Sequence, residues 1–179
     1  MQEHIKELQY PIGNFHFPET VSKELLEEWV SQLEHLPSDL SALVTDFSEE
    51  QLNTVYRPGG WTVKQLIHHI ADSHHHSYTR FKWALTENTP LIKAYQEKDW
   101  SQLLDAKDAP VQLSLQYLTA LHAKLVYLIR SLTKEQLQKS YIHPEGNVTV
   151  TVLENIGKYA WHSKHHYTHI KRLVERKKW

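Results

Sequence analysis

Apolar residues recur at three- and four-residue intervals through four long stretches of this 179-residue chain, and only Val148-Thr-Val-Thr151 reads as strand-prone. This pattern constrains the fold most, because a helix with one apolar stripe has to bury it against other helices. The first stretch opens at Ser22, a good N-cap, and carries Leu25, Leu26, Trp29, Val30 and Leu33. Pro37 predicts a break, followed by a continuing segment with Leu40, Leu43 and Val44 as its stripe. Thr62, with Gln65 three residues on, makes a capping box for a second long helix that runs to about Glu87. Pro110 opens a third, striped from Leu113 to Ile129, and Thr151 with Glu154 caps a fourth that runs to about Lys177. Short capped turns at Ser48–Leu52 and Thr133–Leu137 read as satellite helices. The expectation is an all-α four-helix bundle in a single domain, 1–179, with residues 1–19 as an irregular aromatic arm. An α/β fold is excluded for lack of strands.

The chain echoes itself. Glu50-Gln51-Leu52, Tyr56, a Pro/Gly loop and Thr62-Val63 return as Glu135-Gln136-Leu137, Tyr141, a Pro/Gly loop and Thr151-Val152. Further on, Ser77-Tyr78-Thr79 matches His166-Tyr167-Thr168, so Ser73 and Ser77 correspond to His162 and His166. This pattern suggests two helix pairs related by a pseudo-twofold, with the second and fourth helices facing a shared cavity.

Composition narrows the chemistry. With no cysteine, disulfides, zinc fingers, iron–sulfur clusters and a thiol nucleophile are excluded. A net charge of −1 argues against a nucleic-acid partner. The N-terminus is polar and lacks an apolar core for a signal peptide, and no run approaches the ~18–20 apolar residues of a membrane span. A cytoplasmic protein with no membrane partner is therefore expected. The unusual residue is histidine, of which there are fourteen.

Five histidines lie on the second helix (His68, His69, His74, His75, His76) and four on the last (His162, His165, His166, His169). Two imidazoles at i and i+4 stand one turn apart and can grip one divalent ion. At ~100° per residue, His166 lies at the edge of the last helix's apolar face and His162 a little further round. His165 and His169 project to the solvent side, so His162 and His166 are the better pair. On the second helix, His69 flanks the apolar face, His74 lies near its middle, and His68 and His75 project outward. Spacing leaves both His69 and His74 open as a third ligand and makes His76 a weaker one. Adjacent residues point ~100° apart, so His74-His75-His76 cannot converge on one site.

Trp61-Thr-Val-x-x-x-Ile67-His68-His69-Ile70-Ala71-Asp72-Ser73 resembles the first motif of the DinB/YfiT-like superfamily, a Trp-Ser/Thr opening followed by His, a hydrophobe, Ala and Asp. His162-Ser-Lys-His165-His166-x-x-His169-Ile170 is similar to its second, a His-x-x-x-His on the last helix. The extra His165 beside His166 departs from the family pattern. The resemblance spans nearly the whole chain. It implies a four-helix bundle with a long crossover, a metal triad of His69, His162 and His166, one divalent ion (nickel or zinc) and a homodimer. Three imidazoles leave a divalent ion open to water, which it can activate towards a small-molecule substrate as in a metal-dependent hydrolase. Relatives also include metal-dependent thiol S-transferases of the bacillithiol type, and a non-enzymatic metal-binding bundle is the third class. Asp72, one turn from His69, is placed to orient a ligand. Arg80, on the same flank, can meet an anionic group or pair at the surface. Trp61 and Trp161 can wall the cleft or pack in the core.

Overall fold

The computed structural model describes residues 7–179. Its elements in chain order are α1 (Lys23–Val44), α2 (Glu49–Leu52), α3 (Val63–Thr86), α4 (Glu97–Trp100), α5 (Leu104–Lys107), α6 (Val111–Arg130), α7 (Lys134–Leu137), β1 (Ser140–His143), β2 (Val148–Thr151) and α8 (Val152–Lys177). The four long helices α1, α3, α6 and α8 form a four-helix bundle. Around it, α1 packs on α6 and α8, and α3 packs on the same two helices, so α1 and α3 are diagonal. Residues 87–110 cross over between α3 and α6 and carry α4 and α5. None of the described helices is long and apolar enough to cross a membrane.

The helix starts follow the cap chemistry. Thr62 Oγ1 accepts from the Gln65 amide while Gln65 reaches back to the Thr62 amide, closing a capping box. Thr151 accepts from the Glu154 amide, but only this forward half of the expected box forms. Pro110 serves as the N-cap of α6 rather than its first helical residue.

The sequence echo is a structural repeat. Ser48–Gln51 and Thr133–Gln136 are equivalent capping boxes on α2 and α7. Each short helix is followed by an antiparallel pairing, Val55 with Thr62 in the first half and Ser140 with Thr151 in the second. The Val63 amide then donates to Thr54 O as the Val152 amide donates to Lys139 O. The second half extends its bridge into the β1–β2 ladder around Gly146, whose φ of 73° suits a residue without Cβ.

Pro37 corrects one expectation. It does not break the first helix: α1 is continuous through it. Proline has no amide hydrogen, so the Leu33 carbonyl one turn earlier has no helical donor from position 37.

The bundle core is in two apolar pieces. One gathers Trp29, Leu33, Phe81, Leu125, Ile129 and Ile156. The other gathers Leu36, Leu40, Leu66, Ile70, Leu118 and Ile170. In the first, α8 comes so close to α1 that a Cβ on Gly157 would fall 2.8 Å from the Trp29 ring. Between the two pieces, each helix carries something polar at the same level: the Leu33 carbonyl on α1, His74 on α3, His122 on α6, and His162 to His169 on α8.

Candidate metal centre

His69 from α3 and His162 and His166 from α8 meet in this polar layer. One ring nitrogen from each lies within 4.8 Å of those of the other two. The Nε2 atoms of His162 and His166 are 3.1 Å apart. Two nitrogens each ~2.05 Å from a tetrahedral zinc would stand ~3.3 Å apart, so this pair is already at ligating separation. The His69 ring centroid is 5.5 Å from that of His162 and 5.1 Å from that of His166.

Burial fixes the charge of the three rings. It pushes His69 down to about 4, and the positive field of His165 adds to this. Burial also pushes His162 and His166 well below the usual range, with the neighbouring imidazoles as the next cause. At neutral pH all three are uncharged and offer a lone pair, which is the state a metal needs. The donor set therefore fits a divalent ion.

The tautomer of His162 follows from a single carbonyl. The Leu33 oxygen freed by Pro37 lies 2.5 Å from His122 Nδ1. A carbonyl only accepts, so this nitrogen carries the hydrogen and the Nε2 of the neutral ring is an acceptor. His122 Nε2 faces His74 Nδ1 at 3.0 Å, so His74 donates there and accepts at Nε2. His74 Nε2 faces His162 Nδ1 at 3.1 Å. His162 therefore carries its hydrogen on Nδ1, and its Nε2 lone pair points at His166 and the cleft. His74 and His122 are 0% and 1% exposed, and burial keeps both uncharged, His122 at about 4. His69 Nδ1 meets the Tyr95 hydroxyl at 3.4 Å, and His166 Nδ1 has no partner among the described residues.

Some histidines and one carboxylate depart from expectation. His165 and His169, which the helical projection sends to solvent, are buried. The Trp161 ring stacks on His165 at 4.5 Å and is held by its own Nε1 donating to Gly13 O in the N-terminal arm, while Tyr56 packs on His169. Irregular segments cover this face, and a helix's own stripe does not reveal them. His68 is likewise buried, by the crossover: its ring nitrogens meet Ser114 Oγ at 2.8 Å and Ala109 O at 3.1 Å. His75 is exposed against Tyr117, and His76 stacks on Tyr95. Asp72 makes no hydrogen bond or ion pair with another described residue, and burial beside Asp105 raises it to about 6. The groups outside the triad hydrogen-bonded to it are Tyr95, His74 and Ser73 instead. Sequence reasoning passed over His122, although it continues the α6 stripe between Leu118 and Leu125 and is the one polar residue there.

The triad opens into a cavity of about 710 Å³ walled by Trp61 and Trp161, with Arg57, Lys98 and Glu97 also on its lining. The Trp61 ring lies 4.6 Å from His69. A larger groove of about 840 Å³ runs between α1 and α6, but it touches the polar layer only at His122 and carries none of the triad.

Comparison with known proteins points the same way. A protein of Bacillus mycoides named "Putative metal-dependent hydrolase" is 45% identical over 175 residues, 98% of this chain and 100% of its own length. A protein of Oceanobacillus iheyensis with the same designation is 44% identical over 171 residues, 96% of this chain and 98% of its own. The solved structure of YfiT from Bacillus subtilis, described as a probable metal-dependent hydrolase with an unusual four-helix bundle topology, matches with a TM-score of 0.94. That match is at 44% identity and covers 97% of this chain and 99% of YfiT. The sequence profile of the DinB superfamily matches residues 32–170. This chain belongs to the DinB superfamily.

Proposed function

We propose that this protein is a metal-dependent hydrolase in which His69, His162 and His166 hold one divalent ion, zinc or nickel, at the floor of the cavity walled by Trp61 and Trp161. The observation that carries this reading is the convergence of three uncharged ring nitrogens within 4.8 Å of one another, beside an open cavity. Held by these three imidazoles, a divalent ion would supply Lewis acidity and make water a better nucleophile at neutral pH. The protein's own groups do the rest. The His122–His74 chain keeps the His162 lone pair aimed at the ion, and Tyr95 orients His69 in the same way. Glu97 is the one carboxylate among the described residues lining this cavity, and it accepts the proton that the attacking water gives up. Trp61 and Trp161 exclude bulk water and select for small substrates with an apolar part.

The names of the relatives support this reading at the level of metal-dependent hydrolysis. The test is a panel of ester, amide and thiol-plus-electrophile substrates, run with zinc- and nickel-loaded protein and with Glu97→Gln. Ester or amide turnover that requires the ion and falls by a hundredfold or more in Glu97→Gln supports it. Turnover only with a thiol and an electrophile moves the assignment to thiol S-transfer, and no turnover with any substrate contradicts both.

A further inference from the structure

Arg80 is 6% exposed, and no carboxylate among the described residues lies within 4.0 Å of it. Its Nη1 donates to the Tyr159 hydroxyl at 3.3 Å, its guanidinium also faces the Tyr141 hydroxyl, and its Nε has no partner among the described residues. Both contacts are phenol hydroxyls and neither is a carboxylate. A buried cation without a counter-ion is among the costliest arrangements a protein can hold, and natural interiors nearly always pair it. The exceptions are positions where a ligand brings the missing charge.

The surroundings of Arg80 fit that exception. It lines a cavity of about 470 Å³ together with Lys158 and His143. That volume lies in the range of small-molecule sites. The two carboxylates on the lining, Glu97 and Glu145, are exposed, and neither reaches Arg80. The cavity adjoins the metal cleft, because both are lined by His162, Glu97 and Lys98. A short polar path joins the two ends: Arg80 to Tyr159 Oη, Tyr159 Oη to Ser73 Oγ at 3.5 Å, and Ser73 Oγ to His162 Nε2 at 3.4 Å.

We infer that Arg80 is the anchor of an anion subsite, and that the substrate is a small carboxylate-bearing molecule whose anionic end binds Arg80 while its reacting end reaches the His69–His162–His166 triad. A guanidinium offers a planar fork of donors that matches a carboxylate, and the Arg80 Nε, itself buried, has no hydrogen-bond partner among the described residues. Lys158 adds positive charge at the cavity wall. This inference rests on the metal-centre reading only for what stands at the other end of the substrate.

The probe is succinate, with neutral succinamide as its control, titrated by calorimetry in chloride-free buffer into metal-free wild type, Arg80→Gln and Arg80→Lys. Succinate is expected to bind wild type, succinamide to show no heat, and Arg80→Gln to weaken succinate by tenfold or more. Arg80→Lys keeps the charge but loses the fork, so it is expected to recover only part of the affinity, and it carries the test if Arg80→Gln misfolds. Equal succinate affinity in wild type and the folded variants overturns the subsite, as does equal binding of succinamide. Metal content is measured separately on the same preparations. A wild type that takes up no ion contradicts the metal centre, and the Arg80 comparison is still read from the metal-free titrations.

Discussion

Helix α8 carries two histidine pairs with the same spacing and the same internal geometry, and they sit in different surroundings. The Nε2 atoms are 3.1 Å apart in His162/His166 and 3.1 Å apart in His165/His169. With His166, the second pair also forms a cluster compact enough to hold an ion. The difference lies in what surrounds them. His162 is tied by its Nδ1 to a chain of imidazoles ending on a backbone carbonyl, and Lys158 is the one full-time cation among the described residues acting on it. Burial first, then His165, and then the guanidiniums of Arg57, Arg176 and Arg172 push His169 down to about 3. A divalent cation placed there would meet the field of three guanidiniums. His165 Nδ1 and His166 Nδ1 both lack a partner among the described residues, so the tie that sets the pairs apart is the one at His162 Nδ1. Histidine spacing thus makes a pair available, and the neighbouring charges and hydrogen bonds decide whether it is a site. On this account His165 and His169 are packing groups that carry Trp161 and Tyr56 over the cleft.

The contrast can be broken at the imidazole chain. Replacing His74 by leucine removes the acceptor that holds the hydrogen on His162 Nδ1, so zinc affinity is expected to fall ten- to a hundredfold, measured by chelator competition. His165→Leu, tested in the same way, is expected to leave the affinity within about threefold. Equal losses in the two variants would erase the distinction between the pairs.

Acid sharpens the contrast through stability. The ordinary histidine value of 6.5 falls to about 4 for His69 and His122 in the folded protein. Between those values the unfolded chain binds protons that the folded one does not. Each ring's contribution is therefore complete above pH ~6.5 and is lost as pH falls towards 4, by a few kcal/mol per histidine at most. Asp72 has the opposite sign: raised from 3.8 to about 6, it binds a proton in the folded state across much of the same window and offsets part of the loss. Thermal melts of metal-free protein are expected to fall steadily from pH 7 to pH 4. A flat profile would mean that these imidazoles are not held neutral.

Pro37→Ala should have the smallest effect. It restores an amide that competes with His122 for the Leu33 carbonyl, whose second lone pair softens the competition. Zinc affinity is expected to drop by about two- to fivefold with the fold intact. An unchanged affinity would mean that His122 does not need this carbonyl to itself.

The helices, their caps and the internal repeat were legible because each rests on local spacing: a hydroxyl three residues before its partner amide, or apolar residues on one face. The His162/His166 pair was legible for the same reason. His122 and Tyr95 were not. Each acts on the centre from another element, and only the packing of α6 and the crossover against α3 brings them there. His68, His165 and His169 read as exposed because a helical projection knows only its own helix, whereas residues 10–15, the 56–61 loop and the crossover cover those faces. Pro37 read as a break because a missing donor usually ends a helix. Here α1 continues, and the freed carbonyl is used by a residue from another helix.

The most direct measurement is metal content, by mass spectrometry, of His162→Ala and His169→Ala after identical loading with zinc or nickel and removal of the excess. The account expects one ion per chain in His169→Ala, as in wild type, and less than a tenth of that in His162→Ala. Stoichiometric metal in His162→Ala, or its loss from a folded His169→Ala, would contradict it.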